Sequence, residues 1–129
     1  MNDCLLIALA DRSELRLQFR LIMAKPLRYN LIYAPEVKEH LKAIGKQHHA
    51  LIREAIEERL SFEPDRETRN RKPIEEGALW EDAWELRCGE RNRFRIFYRI
   101  DYETTEVRIL AIGVKDRNEL IIGKERVKL

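Results

Sequence analysis

Five arginines lie within thirteen residues of the chain, between positions 87 and 99, and arginine is well suited to binding phosphate. Its guanidinium group holds a phosphate through a planar, bidentate fork of N–H donors, and it also stacks on nucleic-acid bases. The cluster consists of Arg87, Arg91, Arg93, Arg95 and Arg99, and the carboxylates within residues 84–100 are Glu85 and Glu90. This excess of guanidinium groups predicts an anion-binding surface.

Three of these arginines share one face of a predicted strand. Residues 93–101 alternate with a period of two, which places Arg93, Arg95 and Arg99 on one face with Phe97 between them. A turn at residues 89–92 brings Arg87 beside that strand. An aromatic ring among arginines suits a nucleic-acid backbone with an unstacked base. A solvated sheet face with cross-strand arginine–glutamate pairs has the same pattern, and residue types alone favour neither interpretation.

Other kinds of chemistry have weaker support. The two cysteines, Cys4 and Cys88, do not make a disulfide framework, and Cys88 is predicted to be an ordinary strand residue of a protein in the reducing cytoplasm. The three histidines, at positions 40, 48 and 49, fall on the surface of predicted helices, and no Cys/His cluster has the spacing of a zinc site. We therefore expect no metal and no other cofactor.

Length and composition narrow the class of protein. The chain has 129 residues, of which 44% are apolar and 37% charged, and its net charge is +2. These values predict one domain with a modest core and a heavily charged surface, and they argue against wholesale disorder. The longest apolar run, residues 4–10, is far shorter than the ~20 residues that span a bilayer, so no membrane partner is expected.

The elements that must position the arginines follow an α+β pattern. Residues 28–33 alternate as a strand does, and Pro35 ends it. Two helices are predicted, over residues 35–45 and 48–62. Their apolar faces consist of Val37, Leu41 and Ile44 in the first helix and Leu51, Ala55, Ile56 and Leu60 in the second. A long charged loop, residues 63–83, then leads to strands at 84–88, 93–101 and 106–113.

The two ends of the chain differ in what their sequences predict. Asp116 followed by Glu119 forms a capping-box pattern, which predicts a short C-terminal helix through residue 122. Residues 1–26 are predicted to be an arm or extension outside the core, and residues 27–129 to be the folded domain. The predicted fold is a helical hairpin packed on one face of a twisted, mostly antiparallel four-stranded sheet, with a short C-terminal helix.

The chain resembles toxins of the RelE/ParE superfamily in three blocks. They are residues 29–36, with a strand followed by Ala-Pro-Glu; residues 84–100, with the two arginine-bearing strands; and residues 107–119, which close with Lys115-Asp116-Arg117. The resemblance covers about residues 27–122. It implies a RelE-like fold and the toxin of a bacterial type II toxin–antitoxin module, a small cytoplasmic protein that a cognate antitoxin neutralises.

The resemblance also implies roles for individual residues. Ribonuclease members of the family cut mRNA on the ribosome: the ribose 2′-OH attacks the adjacent phosphate, and no metal is required. Arg95 matches the arginine that holds the scissile phosphate, Arg87 matches the arginine of the preceding strand, and Lys115 falls where that branch has a catalytic arginine. These three are the predicted catalytic residues. The residues predicted to contact nucleic acid are Arg93, Arg99, Arg117 and Phe97.

This sequence departs from the ribonuclease pattern at three positions. Ala83 and Glu85 stand where that branch has lysines, and Ile121 stands where it has a tyrosine. The phosphate-binding groups are therefore kept better than the acid–base groups, and the general base is unassigned. Glu85 has the right chemistry for a base, but its charge opposes that of a phosphate. Three functions stay open: an mRNA endoribonuclease, a ParE-like poison of DNA gyrase, and an antitoxin-binding module with weak or lost activity.

Overall fold

A computed structural model of the protein describes residues 27–75 and 79–127. The predicted N-terminal arm, residues 1–26, lies outside the described residues, so its separation from the domain stays a prediction. The described helices are α1 (Pro35–Lys42) and α2 (His49–Leu60). The described strands are β1 (Asn30–Tyr33), β2 (Arg71–Pro73), β3 (Ala83–Cys88), β4 (Phe94–Asp101), β5 (Glu106–Asp116), β6 (Glu119–Ile122) and β7 (Glu125–Val127).

The two helices form a hairpin whose apolar faces cover one side of the sheet. Pro35 is in the first turn of α1, where a missing N–H costs nothing. Val37 and Ile44 are buried, as predicted. The buried residues of α2 include the predicted Ala55, Ile56 and Leu60, but Ile52 is buried in place of Leu51, which is 43% exposed. The ring Nε2 of His49 donates to the carbonyls of Leu41 (2.7 Å) and Ile44 (2.8 Å). This histidine therefore satisfies carbonyls at the end of α1 and fixes the joint.

The sheet is mostly antiparallel, in the order β2-β3-β4-β5-β6-β7, and β1 pairs with β5 in parallel. β1 occupies the first part of β5, with Asn30 opposite Glu106 and Tyr33 opposite Ile109. The last part of β5 pairs with β6, where Asp116 is opposite Glu119. The α+β class predicted from the sequence is confirmed, and the four predicted strands are β1, β3, β4 and β5.

The predicted C-terminal helix is wrong, because residues 119–127 form the β6–β7 hairpin. The residues between Asp116 and Glu119 form a two-residue turn in which Arg117 has φ +57°. The turn is followed by Leu-Ile-Ile, and β-branched residues favour strands. The last part of β5 would otherwise leave its N–H and C=O groups unpaired, so this pairing prevails over the local capping-box pattern.

The predicted loop over residues 63–83 also contains a strand. β2 pairs with β3, with Arg71 opposite Leu86. The Arg71 side chain is buried, and it donates to the carbonyls of Arg66 (2.7 Å) and Arg59. The charge of this arginine therefore serves to anchor the connection rather than to keep it solvated.

Apolar side chains cover parts of both faces of the sheet. The helix-facing layer includes Phe94, Ile96 and Tyr98 of β4, and the Tyr98 hydroxyl donates to the Pro64 carbonyl at 2.7 Å. On the opposite face, Phe97 and Leu120 form a smaller cluster that partly buried residues of other segments extend. Because both faces carry apolar clusters, the second face of β4 is not the continuous solvated surface that its arginines suggest.

Candidate functional site

A cavity of about 1090 Å³ lies where the helix joint meets the ends of β4 and β5. Its walls come from residues 43–45 and 47–48, residues 90–91 and 93–95, and residues 114–117, and Ile121 and Gly123 also line it. Three distant parts of the sequence therefore converge on one site.

Cationic side chains dominate this cavity. Of the described residues that line it, Arg91, Arg93, Lys115 and Arg117 are exposed and Arg95 is buried. The carboxylates among them are Glu90 and Asp116. A concave surface with such an excess of one charge attracts anions, and arginine forks suit phosphate in particular. We refer to this site below as the cationic cavity.

Arg93 immediately precedes β4, in a helical backbone conformation (φ −70°, ψ −25°), and lies beside Lys115 of β5. The backbone N–H of Lys115 donates to the Arg93 carbonyl at 2.7 Å, and the next pair in the register is Phe94 with Val114. Two like charges on neighbouring residues repel each other. Within residues 27–75 and 79–127, no carboxylate forms an ion pair with either side chain. A bound anion would relieve this repulsion.

Phe94 forms the floor of the cationic cavity and is contacted by two of its lining residues. The His48 ring lies 5.1 Å from the Phe94 ring, measured between centroids, at an angle of 50°. The Arg93 guanidinium carbon lies 5.2 Å from the same centroid, which is cation–π distance. Phe94 is only 1% exposed, so it positions the histidine and the arginine rather than a ligand.

A second like-charge pair, Arg87 with Arg95, lies one strand further along the sheet, and a carboxylate neutralises it. The two residues are register partners in β3 and β4. Oε1 of Glu85 accepts from Arg87 Nε at 2.6 Å and from an Arg95 terminal N–H at 2.9 Å. The side chains of Glu85 and Arg95 are 7% and 6% exposed, whereas that of Arg87 is 30% exposed. We call these three residues the buried triad.

Arg95 is therefore a buried arginine with a carboxylate partner and is not part of a solvated sheet face. Arg95 Nε also donates to the Asn92 carbonyl at 3.0 Å. The guanidinium group therefore lines the cationic cavity while two of its five N–H donors are bonded within the fold. The cross-strand arginine–glutamate pairs left open by the sequence exist at Glu85.

Two of the residues predicted to contact nucleic acid lie away from the cavity. Phe97 is 1% exposed in the apolar cluster of the second face, where its ring centroid lies 5.0 Å from that of Trp80, so it has no surface to offer a base. Arg99 is near the other end of β4 and donates to the Glu81 carbonyl at 2.9 and 3.1 Å. Neither residue lines the cationic cavity, and their contact with nucleic acid stays a prediction.

The positions at which the resemblance implies catalytic residues of the ribonuclease branch divide between two places. Those of Arg95, Lys115 and Ile121 line the cationic cavity, and those of Ala83, Glu85 and Arg87 are on β3 outside its lining. The residue that sequence reasoning missed is His48, which lines the cavity from the helix joint. No local pattern marks it, since its place at the site depends on how the helix hairpin packs against β5.

Two other chemistries have no support within residues 27–75 and 79–127. No group of three or more His, Cys, Asp or Glu side chains there has the arrangement of a metal site. Cys88 is buried as predicted, and burial raises the pKa of its thiol to about 11, so it is not a thiolate nucleophile at neutral pH. Neither described helix is long and apolar enough to cross a membrane.

A known protein family matches most of the chain that forms this fold. The sequence profile described as "ParE toxin of type II toxin-antitoxin system, parDE" matches residues 31–119. The chain belongs to this toxin family. The RelE/ParE resemblance inferred from the three sequence blocks is therefore confirmed, and the cationic cavity belongs to a toxin of a type II system. Proteins of curated function give no match to the chain.

Two solved structures have the same fold as this toxin. One is the RelBE2 toxin–antitoxin complex of Mycobacterium tuberculosis, with 26% identity, a TM-score of 0.58, and coverage of 70% of this chain and 95% of that chain. The other is the archaeal RelE–RelB complex of Pyrococcus horikoshii OT3, with 23% identity, a TM-score of 0.53, and coverage of 70% and 98%. The likeness establishes a RelE-like fold.

Proposed function

We propose that this toxin inhibits translation in the cytoplasm by cleaving mRNA on the ribosome. The observation that carries the proposal is the convergence of four exposed cations, Arg91, Arg93, Lys115 and Arg117, on one cavity. Phosphate contacts dominate nucleic-acid affinity, and a cavity lined by arginine forks and a lysine suits a bent RNA backbone. The nucleophile would be the ribose 2′-OH of the RNA itself.

The cavity residues divide the chemistry between them. Arg93 and Arg117 would hold the scissile phosphate and stabilise the charge that develops on its oxygens as the 2′-oxygen attacks phosphorus. The bond from phosphorus to the 5′-oxygen then breaks, and the Lys115 ammonium would donate the proton that the leaving oxygen needs. Arg95 would act from the wall of the cavity, with its geometry fixed by Glu85. Arg87 would then serve to hold Glu85.

We also propose that a cognate antitoxin neutralises the toxin. The M. tuberculosis neighbour was solved in complex with its antitoxin, and the fold is shared. A partner with acidic residues at its rim would be attracted to the cationic cavity, and the attraction would raise its association rate.

A second function, binding without cleavage, is favoured by one observation. Glu85 stands at a catalytic lysine position of the ribonuclease branch and is bonded to the arginine predicted to grip the phosphate, Arg95. A toxin with this arrangement could act by binding, as a gyrase poison does, or could retain antitoxin binding with weak toxicity.

One experiment separates these functions. The toxin is induced in cells, and protein synthesis, new mRNA 5′ ends and plasmid supercoiling are measured together. We expect translation to stop first and mRNA ends to accumulate within codons. Arg93→Ala and Lys115→Ala should abolish both effects, while Lys42→Ala, a surface cation paired with Glu39, should not. Altered supercoiling with intact mRNA would replace the proposal with the gyrase alternative, and normal growth would favour lost toxicity.

A further inference from the structure

The proposed cleavage lacks a group that removes the proton from the ribose 2′-OH. The lining side chains of the cationic cavity whose types commonly serve as general bases are His48, Glu90 and Asp116. A general base works best when its pKa is close to the operating pH, and imidazole comes closest among ordinary side chains.

The three histidines of the chain are used in different ways. His49 donates to two carbonyls at the end of α1, and His40 Nδ1 accepts from the Ile112 N–H at 3.3 Å. Burial lowers the pKa of His40. Within residues 27–75 and 79–127, the His48 ring has no hydrogen-bond partner of its own. Two histidines are structural, and His48 has both nitrogens available.

His48 is also held at the cavity by rigid parts of the fold. Its ring packs on Phe94, a core residue, and it immediately precedes α2. The charged groups that share the cavity with it are Arg91, Arg93, Arg95, Lys115 and Arg117, together with Glu90 and Asp116. A phosphate bound by these cations would place an RNA ribose within the same cavity as the imidazole.

We propose that His48 is a catalytic residue of this toxin and acts as the general base of RNA cleavage. Its ring nitrogen takes the 2′-OH proton as the 2′-oxygen bonds to phosphorus. The bond to the 5′-oxygen breaks, and that oxygen takes a proton from Lys115. The products are a 2′,3′-cyclic phosphate and a 5′-OH, after which His48 returns its proton to solvent and Lys115 regains one. This inference rests on the proposed ribonuclease function.

The test is single-turnover cleavage of mRNA on programmed ribosomes, measured between pH 5.5 and 8.5. The proteins are the wild type, His48→Gln, His48→Ala and, as a control from the same turn, Lys46→Ala. Loss of general-base catalysis typically costs at least ~100-fold in rate. We expect that loss in both His48 variants, together with loss of the rising limb of the pH profile, while the control keeps the wild-type rate and profile.

Binding is measured separately, on ribosomes programmed with mRNA that carries a 2′-O-methyl group at the cleavage codon and cannot be cut. We expect affinities within about twofold of the wild type. A change of ~1.4 kcal/mol in the free energy of binding would instead appear as a tenfold change in affinity. Melting temperatures show that each variant is folded, and His48→Gln retains a planar polar group if His48→Ala does not fold. Wild-type cleavage that both folded variants retain, or an equal loss of affinity and rate, overturns the inference alone. Absence of cleavage by the wild type overturns the proposed function and this inference with it.

Discussion

Arg93 and Lys115 are neighbours where β4 begins and β5 ends, and Arg87 and Arg95 are register partners in β3 and β4. The second pair shares the carboxylate oxygen of Glu85, and the described residues provide no carboxylate for the first. The repulsion between like charges is thus neutralised within the fold at the second pair, and at the first pair it is left for a ligand to neutralise. Arginines of equal appearance in the sequence therefore have different roles, one structural and one available for binding.

The largest effect that would test this contrast is the loss of stability in Arg95→Ala. Removing one partner of a buried ion pair leaves an uncompensated charge and typically costs about 3–5 kcal/mol. Glu85 keeps Arg87, so a value near the lower end is expected. Urea denaturation measures the free energy of unfolding.

The matched control for Arg95→Ala is Arg93→Ala, an exposed arginine two residues away on the same segment. Its effect on the free energy of unfolding should stay within about 0.5 kcal/mol, as for most surface substitutions. If the two variants lose the same stability, the distinction between a structural and an available arginine is wrong.

The second prediction concerns the turn between β3 and β4, which separates the Arg87–Arg95 pair from the Arg93–Lys115 pair. Gly89 has φ +82°, and a Cβ there would lie 2.5 Å from the Phe94 ring, which forms the floor of the cationic cavity. Gly89→Ala should therefore lower the free energy of unfolding by about 2 kcal/mol, within the range for strained backbone positions. It should also weaken RNA binding, since Phe94 positions Arg93 and His48.

Gly45→Ala is the control for this substitution. A Cβ at Gly45 would approach the Gln47 side-chain amide at 2.6 Å, but that group is flexible and can move away. The expected stability change is about 0.5 kcal/mol or less. Equal losses in the two variants would show that the contact with Phe94 is not what makes Gly89 necessary.

Sequence patterns predicted the parts of this fold that depend on neighbours in the chain. Alternation identified β4, and the apolar spacing of Val37 and Ile44 identified α1. The C-terminal hairpin was missed because the unpaired end of β5, a distant element, decided it against the local Asp116–Glu119 pattern. Local sequence patterns and long-range strand pairing can favour different structures. Where a strand would otherwise have an unpaired edge, the pairing decides the structure.

The candidate site was predicted less completely for a related reason. Alternation gave the face on which Arg95 and Phe97 lie, but it carries no information about what covers that face. Trp80 and Leu120 cover Phe97, and Glu85 neutralises Arg95. His48 lies at the cavity because the helix hairpin packs against the sheet, and the spacing of residues in the sequence does not predict that packing.

The third prediction concerns RNA affinity at the cationic cavity. Arg93→Ala and Arg117→Ala should each weaken binding about tenfold, since a charge-assisted hydrogen bond contributes ~1.5–3 kcal/mol. The slope of log affinity against log salt should fall by ~0.7 for each phosphate of single-stranded RNA that the variant no longer neutralises. Arg108→Ala is the control, because that exposed arginine is paired with Asp101 and Glu106 on the first part of β5. Equal losses of affinity in all three variants would indicate general attraction by surface charge.

The smallest expected effect divides the buried triad itself. Arg87 is 30% exposed, so water can replace part of what it gives Glu85, and Arg95 remains in place as the buried partner. Arg87→Ala should therefore lower the free energy of unfolding by about 1 kcal/mol, close to the value of a partly solvated ion pair. The same urea titrations used for Arg95→Ala measure the difference. A loss of stability in Arg87→Ala as large as that in Arg95→Ala would mean that Glu85 depends on both arginines equally, and that burial does not rank them. If instead toxicity disappears while stability is kept, Arg87 has a direct part in the reaction, as its family position implies.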